Sequence, residues 1–149
     1  MIKFKKGDIL KAEEKVIIHQ TNCLGIMGGG LAKQIREQHP KVYREYKKLC
    51  DSVEDTHQLL GIWQSVEDDG VLFINMFSQH SVSNCGRMTN YLAFATALAD
   101  ILSKANQDVA IPKFIGCGLA NGDWNVVMNL IDILSIDFKY DIVIYEFTK

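Results

Sequence analysis

Short runs of apolar and β-branched residues along this chain alternate with longer segments in which apolar residues recur every three or four positions. The first pattern is typical of buried strands, and the second is typical of helices that pack on a sheet. Strands are predicted over residues 2–5, 15–20, 60–66, 71–77, 109–111 and 142–145. Helices are predicted over residues 31–38, 42–49, 91–102 and 124–134, and Thr89 is expected to cap the third of them.

The order of these elements predicts the fold class. Asp68-Asp69-Gly70 separates the two middle strands and is a turn sequence typical of an antiparallel hairpin. The remaining strands are joined mostly through helices, as parallel strands are. We therefore expect an α/β protein, a three-layer α/β/α sandwich with a central mixed sheet. No linker or repeat interrupts the 149 residues, so 1–149 is predicted to form one domain.

Composition and charge exclude several function classes. The net charge of −2 argues against a broad nucleic-acid surface, and no sequence-specific nucleic-acid binding is expected. No apolar stretch reaches the roughly 20 residues that span a bilayer, so neither a membrane association nor a secretory signal is expected. Four cysteines without CxxC spacing favour reduced thiols in the cytoplasm. No ligand motif predicts a metal or another cofactor.

Two glycine-bearing segments each follow a predicted strand. The first lies within residues 17–32 and contains Gly28-Gly29-Gly30, and the second lies within residues 110–124 and contains Gly116-Cys117-Gly118. Glycines let main-chain N–H groups approach an anion, and a following helix adds its positive end. Because the carboxyl ends of parallel strands share one edge of the sheet, two such loops indicate a crevice for a phosphorylated ligand. Neither segment matches a P-loop or a GxGxxG fingerprint.

Four motifs in order resemble the macrodomain family. They are Gly7-Asp8-Ile9, the run 17–23, the run 28–32 and the run 115–119, with Gly122-Asp123-Trp124 as further support. Within that family the chain is similar to the branch that processes ADP-ribose 1''-phosphate. The resemblance spans essentially the whole chain. It implies ADP-ribose or ADP-ribose 1''-phosphate as the ligand, with ADP-ribosylated macromolecules as further possible partners.

The resemblance also implies which residues bind the ligand. Asp8 would accept a hydrogen bond from the adenine amino group, and Asn22 would hold the distal ribose; either could instead be a turn residue that bonds its own backbone. Tyr145 would pack on adenine, although strand alternation equally allows a core position. The remaining implied ligand contacts are Ile9, Gly28, Gly29, Gly30, Leu31, Ile115, Gly116, Cys117, Gly118 and Leu119.

Three catalytic candidates follow from the same resemblance. His19 would protonate the leaving ribose oxygen or position water, or it is a core histidine bonded to the backbone. Asp123 would orient or deprotonate water, or it caps the last helix. His80 lies in a polar loop predicted over 78–88, as does Arg87, whose guanidinium would suit a terminal phosphate.

These candidates predict hydrolysis of ADP-ribose 1''-phosphate to ADP-ribose and phosphate without a metal. The alternatives are a non-catalytic ADP-ribose reader and a hydrolase of ester- or acyl-linked ADP-ribose, by de-ADP-ribosylation or O-acetyl-ADP-ribose deacetylation. Relatives that remove ADP-ribose from glutamate or DNA bases carry a lysine after the fourth strand and an acid after the second loop. Residues 76–79 hold no lysine and Ala120 stands at the second place, so a lysine-adduct mechanism is not expected.

Overall fold

The computed structural model describes residues 1–83 and 85–148. Its strands are β1 (Ile2–Lys6), β2 (Val16–Thr21), β3 (Trp63–Asp68), β4 (Val71–Phe77), β5 (Val109–Pro112) and β6 (Ile142–Glu146). Its α-helices are α1 (Gly30–Gln38), α2 (Pro40–Ser52), α3 (Tyr91–Lys104) and α4 (Trp124–Leu134). One six-stranded sheet has the order β1-β6-β5-β2-β4-β3, and β3 is antiparallel to β4 while the other neighbours are parallel.

Strand alternation divides the core between the two faces of the sheet. On β2, Ile18 packs with α3 and α4, whereas Ile17 packs against α1 and α2. Leu98 of α3 is fully buried on the first face, and Ile35 of α1 is fully buried on the second. The three-layer sandwich with a mixed sheet that the sequence predicts is therefore confirmed.

The helix ends follow local sequence signals. Proline is favoured in the first turn of a helix, where its missing N–H costs nothing, and α2 begins at Pro40, with only His39 between it and the end of α1. The prediction that Thr89 caps α3 was wrong. Asn90 is the cap, and its Oδ1 accepts a hydrogen bond from the Ala93 N–H at 3.0 Å. Thr89 instead pairs with Gln79 in an isolated β-bridge.

Both glycine segments follow strands that are neighbours in the sheet. The first connects β2 to α1, and the second connects β5 to α4. β2 and β5 are parallel, so their carboxyl ends open at the same edge. Position 84 of the predicted loop 78–88 lies outside the described residues. None of the described helices is both long and apolar enough to cross a bilayer.

Candidate functional site

A cleft of about 510 Å³ lies between the two glycine segments, over the carboxyl ends of β2 and β5. That volume falls within the range typical of small-molecule sites. Ten of the predicted site residues line it: His19, Asn22, Gly28, Gly29, Gly30, Leu31, Ile115, Gly116, Gly118 and Leu119. The two loops therefore meet at one concave site, as the sequence indicates.

The Asn22 amide organises the first loop from within. Its Oδ1 accepts hydrogen bonds from the N–H groups of Leu24 and Ile26 and from the Tyr46 hydroxyl, at 2.9, 3.3 and 2.7 Å. Its Nδ2 donates to the carbonyl of Ile26 at 2.6 Å. This is the Asx-turn alternative raised by the sequence. A contact between Asn22 and a ribose stays a prediction. The Asn22 side chain would make that contact in addition to holding the first loop in shape.

The beginning of α1 presents unused donors to the cleft. The first N–H groups of a helix have no intrahelical acceptor, and those of Gly30, Leu31 and Ala32 donate to no other residue that the structure describes. All three residues line the cleft. Gly29 is the N-cap and has no side chain to satisfy them. The partial positive charge of the helix end therefore faces the cleft, which favours an anion.

The second loop is held by hydrogen bonds to its Gly116 carbonyl. The Thr89 hydroxyl donates to that oxygen at 2.6 Å, and the Gly122 N–H donates to it at 2.8 Å. Gly116 has a φ of +72°, and a Cβ there would lie 2.8 Å from Gln20 Oε1. Gly116 therefore fits a position that L-residues would occupy only with strain.

Leu119 reaches from the second loop across to the first. Its side chain is 75% exposed, and its Cδ1 lies 2.7 Å from the point where a Cβ on Gly29 would be. A Cβ at position 29 would therefore require the Leu119 side chain to shift. Leu119 thus covers the opening above the α1 N-terminus.

His19 projects from β2 into the floor of the cleft and is almost fully buried, with 2% of its surface exposed. Its Nε2 lies 2.6 Å from Oδ1 of Asn75, its register partner on β4. Burial lowers the pKa of His19 to about 4, against the smaller raising effect of the Asn75 contact. The imidazole is therefore neutral near pH 7, which argues against the expected role of protonating a leaving oxygen.

The depressed pKa of His19 has a consequence for stability. An unfolded histidine takes up a proton near pH 6.5, whereas the folded one does so near pH 4. Between these values the unfolded state binds more protons, so the free energy of unfolding should fall by up to about 3 kcal/mol as pH drops through this window. His19→Gln should lack this loss. Urea denaturation of both proteins at pH 7 and near pH 4 measures the free energy of unfolding. An equal fall in wild type and in His19→Gln would contradict the prediction.

Comparison with known proteins was made by sequence and by structure. No protein-family model matches the chain. A relative from Candida glabrata named ADP-ribose 1''-phosphate phosphatase is 33% identical over 131 residues, covering 76% of this chain and 72% of the relative. The solved macrodomain of Mycobacterium tuberculosis DarG superposes with a TM-score of 0.84 at 26% identity over 97% of both chains. This chain belongs to the macrodomain family.

A second sequence relative is only partly matched by this macrodomain. A Mycobacterium tuberculosis protein named DNA ADP-ribosyl glycohydrolase is 28% identical over 151 residues. The match covers 97% of this chain but 42% of the relative. The macrodomain therefore spans less than half the length of that protein.

Three predicted adenine contacts lie outside the cleft lining. Asp8 accepts a hydrogen bond from the Leu10 N–H at 2.9 Å, which is its turn alternative. Ile9 and Tyr145 are buried together in the core beside α1 and α2. The Tyr145 hydroxyl donates to Glu14, and burial, followed by this bond, raises the pKa of the phenol. The structure gives Tyr145 the core position, and its packing on adenine is not supported.

Two catalytic candidates also lie outside the cleft lining. Asp123 is exposed and caps α4, with Oδ1 accepting from the Asn125 N–H at 2.8 Å. The His80 ring stacks on His57 with centroids 3.6 Å apart, and its Nε2 is 2.9 Å from Thr56 Oγ1. Both side chains are thus engaged elsewhere, so we assign neither to the reaction.

Arg87 and Cys117 have local roles in the structure. The exposed Arg87 guanidinium stacks over the Tyr91 ring at 4.3 Å. The Cys117 thiol donates to the Ile115 carbonyl, and burial raises its pKa to about 11, so it is a poor nucleophile at neutral pH. All four cysteines are free thiols. The expected cytoplasmic location stays a prediction.

Sequence reasoning missed several residues that line the cleft, chiefly Gln20, Thr21, Gln79, Lys113 and Phe114. Lys113 is the one charged side chain among the described lining residues, and its ammonium lies 3.5 Å from a Glu146 carboxylate oxygen. Thr21 is 3% exposed, and its Oγ1 has no hydrogen-bond partner among the described residues. Phe114 has a φ of +67°, which is unusual for an aromatic residue. Such local strain often marks binding sites.

The described residues bring one set of potential metal ligands together, away from the cleft. Nδ1 of His39 and carboxylate oxygens of Asp68 and Asp69 lie within 4.8 Å of one another. They surround the turn before β4, whereas the cleft lies beyond the other end of the sheet's parallel strands. His39 already bonds Asp68 at 2.9 Å, which is a sufficient reason for the grouping.

Proposed function

We propose that this macrodomain binds ADP-ribose in the cleft and hydrolyses ADP-ribose 1''-phosphate to ADP-ribose and phosphate. One observation carries the proposal: the free N–H groups that begin α1 face a cleft lined almost entirely by uncharged groups, with a second glycine loop opposite. A diphosphate fits such a slot because main-chain donors and a helix end stabilise anions without side-chain charge. The similarity to the Candida glabrata phosphatase supports the choice of substrate.

The chain's own residues suggest how the reaction proceeds. The diphosphate would sit on the N–H groups of Gly30, Leu31 and Ala32, and the distal ribose would then lie near His19, which lines the same cleft. The neutral imidazole would accept a hydrogen bond from water and orient it toward the terminal phosphorus. Water then adds to phosphorus and the bond to the ribose oxygen breaks. That oxygen keeps the electron pair and takes a proton from solvent, while the attacking water gives up a proton to solvent, so that ADP-ribose and inorganic phosphate are the products.

Phosphate release from ADP-ribose 1''-phosphate tests the proposal directly. The wild-type protein should release phosphate, and His19→Ala should lower kcat by about 100-fold, as misplacement of a reacting group does. Calorimetry should show the affinity of His19→Ala for ADP-ribose within about threefold of wild type, since His19 does not bind the diphosphate. Lys15→Ala, at a position before β2 and outside the cleft lining, serves as the control.

Three outcomes would contradict the proposal in different ways. Tight ADP-ribose binding without phosphate release would indicate a non-catalytic reader of ADP-ribose. An unchanged rate in His19→Ala would remove His19 from the reaction. Release of ADP-ribose from an ester-linked or acetylated substrate, with 1''-phosphate untouched, would indicate the third alternative.

A DNA glycohydrolase is the second candidate function. The favouring observation is the 28% identity to the Mycobacterium tuberculosis glycohydrolase across nearly all of this chain. Against it stand the absence of a lysine at 76–79 and the presence of Ala120 after Leu119. Release of free ADP-ribose from ADP-ribosylated DNA, assayed beside phosphate release, separates the two.

A further inference from the structure

A continuous row of side-chain amides leads from His19 to the far edge of the sheet. Nε2 of His19 is 2.6 Å from Oδ1 of Asn75, and Nδ2 of Asn75 donates to Oε1 of Gln64 at 3.0 Å. Nε2 of Gln64 then donates to the main-chain carbonyl of Glu45 at 3.0 Å. His19, Asn75 and Gln64 are register partners on β2, β4 and β3, so the sheet itself aligns the row.

The last bond of the row determines the orientation of every earlier one. A main-chain carbonyl only accepts hydrogen bonds, so the NH₂ group of Gln64 must face Glu45 and its oxygen must face Asn75. The Gln64 oxygen can only accept a hydrogen bond, so the NH₂ group of Asn75 must face it. The Asn75 oxygen therefore faces His19. An oxygen acceptor requires a proton on Nε2 of His19.

We propose that Asn75 and Gln64 are positioning residues that hold His19 in the Nε2–H tautomer and keep Nδ1 as an acceptor for the cleft. Nδ1 has no partner among the described residues, and the His19 side chain lines the cleft. The opposite tautomer would offer a donor where the attacking water needs an acceptor. The tautomer follows from geometry alone, whereas its catalytic use rests on the proposed function.

The chemistry of the row suits a histidine that stays neutral. Asn75 is completely buried, so its bond to His19 is shielded from competing water, whereas Gln64 is half-buried and its bond to the Glu45 carbonyl is exposed. A carboxylate in place of Asn75 would attract a second proton onto the ring. An amide supplies the same acceptor without charge. It orients the ring and leaves the second nitrogen unprotonated.

Nitrogen-15 NMR of histidine-labelled protein tests the tautomer in the free protein. Wild type at pH 7 should show His19 as Nε2–H in more than about nine-tenths of molecules. Gln64→Leu removes the acceptor that orients Asn75, so the Asn75 amide can turn and the Nδ1–H form should become substantial. Its kcat should fall by about tenfold with KM within about twofold, because the slot for the diphosphate is untouched.

Two further variants keep the test decisive. Ser65→Ala, next to Gln64 on β3 but exposed, should match wild type in tautomer and in kcat. Asn75→Leu should give the same shift as Gln64→Leu; if it fails to fold, the half-buried position 64 still provides the result. An Nδ1–H wild type, or a tautomer unchanged in a folded Gln64→Leu protein, would overturn the inference. An inactive wild type with the Nε2–H tautomer would reject the proposed function and leave the tautomer assignment standing.

Discussion

Gly29→Glu is expected to abolish ADP-ribose binding, with an affinity at least about 100-fold below wild type. A side chain at position 29 would meet Leu119 Cδ1, since a Cβ there lies 2.7 Å from that atom. The carboxylate would also compete for the α1 N-terminus. At roughly 4 Å from a phosphate its repulsion is about 4 kcal/mol at an effective dielectric of 20, which exceeds the roughly 3 kcal/mol that 100-fold represents. Calorimetry with ADP-ribose measures the loss.

Two matched variants separate the steric effect from the electrostatic one. Gly29→Ala adds only the Cβ, and the exposed Leu119 side chain can turn away, so a loss of about tenfold or less is expected. The double variant Gly29→Ala with Leu119→Ala should recover part of the lost affinity for ADP-ribose. Ser65→Glu carries the same charge on the exposed face of β3 and should bind as wild type does. Binding by Gly29→Glu within a few-fold of wild type would refute the diphosphate slot.

Gly122→Ala is expected to destabilise the protein by about 2–4 kcal/mol and to weaken ligand binding with it. A Cβ on residue 122 would lie 2.4 Å from the Gly116 carbonyl oxygen. Because that oxygen is main chain, it cannot move aside as a side chain would. The Gly122 N–H also donates to it, so any shift breaks the hydrogen bond that closes the second loop. Urea denaturation measures the change.

Gly118→Ala is the matched control for stability. Position 118 belongs to the same loop, its φ is not positive, and a Cβ there meets nothing within 4 Å. Its free energy of unfolding should lie within about 0.5 kcal/mol of wild type. Equal effects of the two alanines would show that the loop tolerates a side chain at position 122 and that the close approach does not matter.

The fold and the two loops are predictable because they follow from local patterns. β-Branched runs such as Lys15–Gln20 predict strands, and glycines between a strand and a helix predict the loops. Parallel strands then bring the loops to one edge without further information. Ten predicted residues line the cleft for this reason.

Side-chain partners depend on register, which the sequence pattern does not specify. His19 pairs with Asn75, 56 positions away, only because β2 and β4 align in one particular way. Tyr145 illustrates the same limit, since alternation alone allowed its ring either face of the sheet. Lys113 and Phe114 belong to no sequence motif that would have marked them as lining residues. A strained main-chain angle at Phe114 becomes visible only in coordinates.

The approach of Leu119 to Gly29 ties the two halves of the binding slot to each other. The exposed Leu119 side chain occupies the space that a side chain at position 29 would need, so a larger residue there would have to displace it. A change of side-chain size at either position would therefore alter how closely the two loops pack against each other.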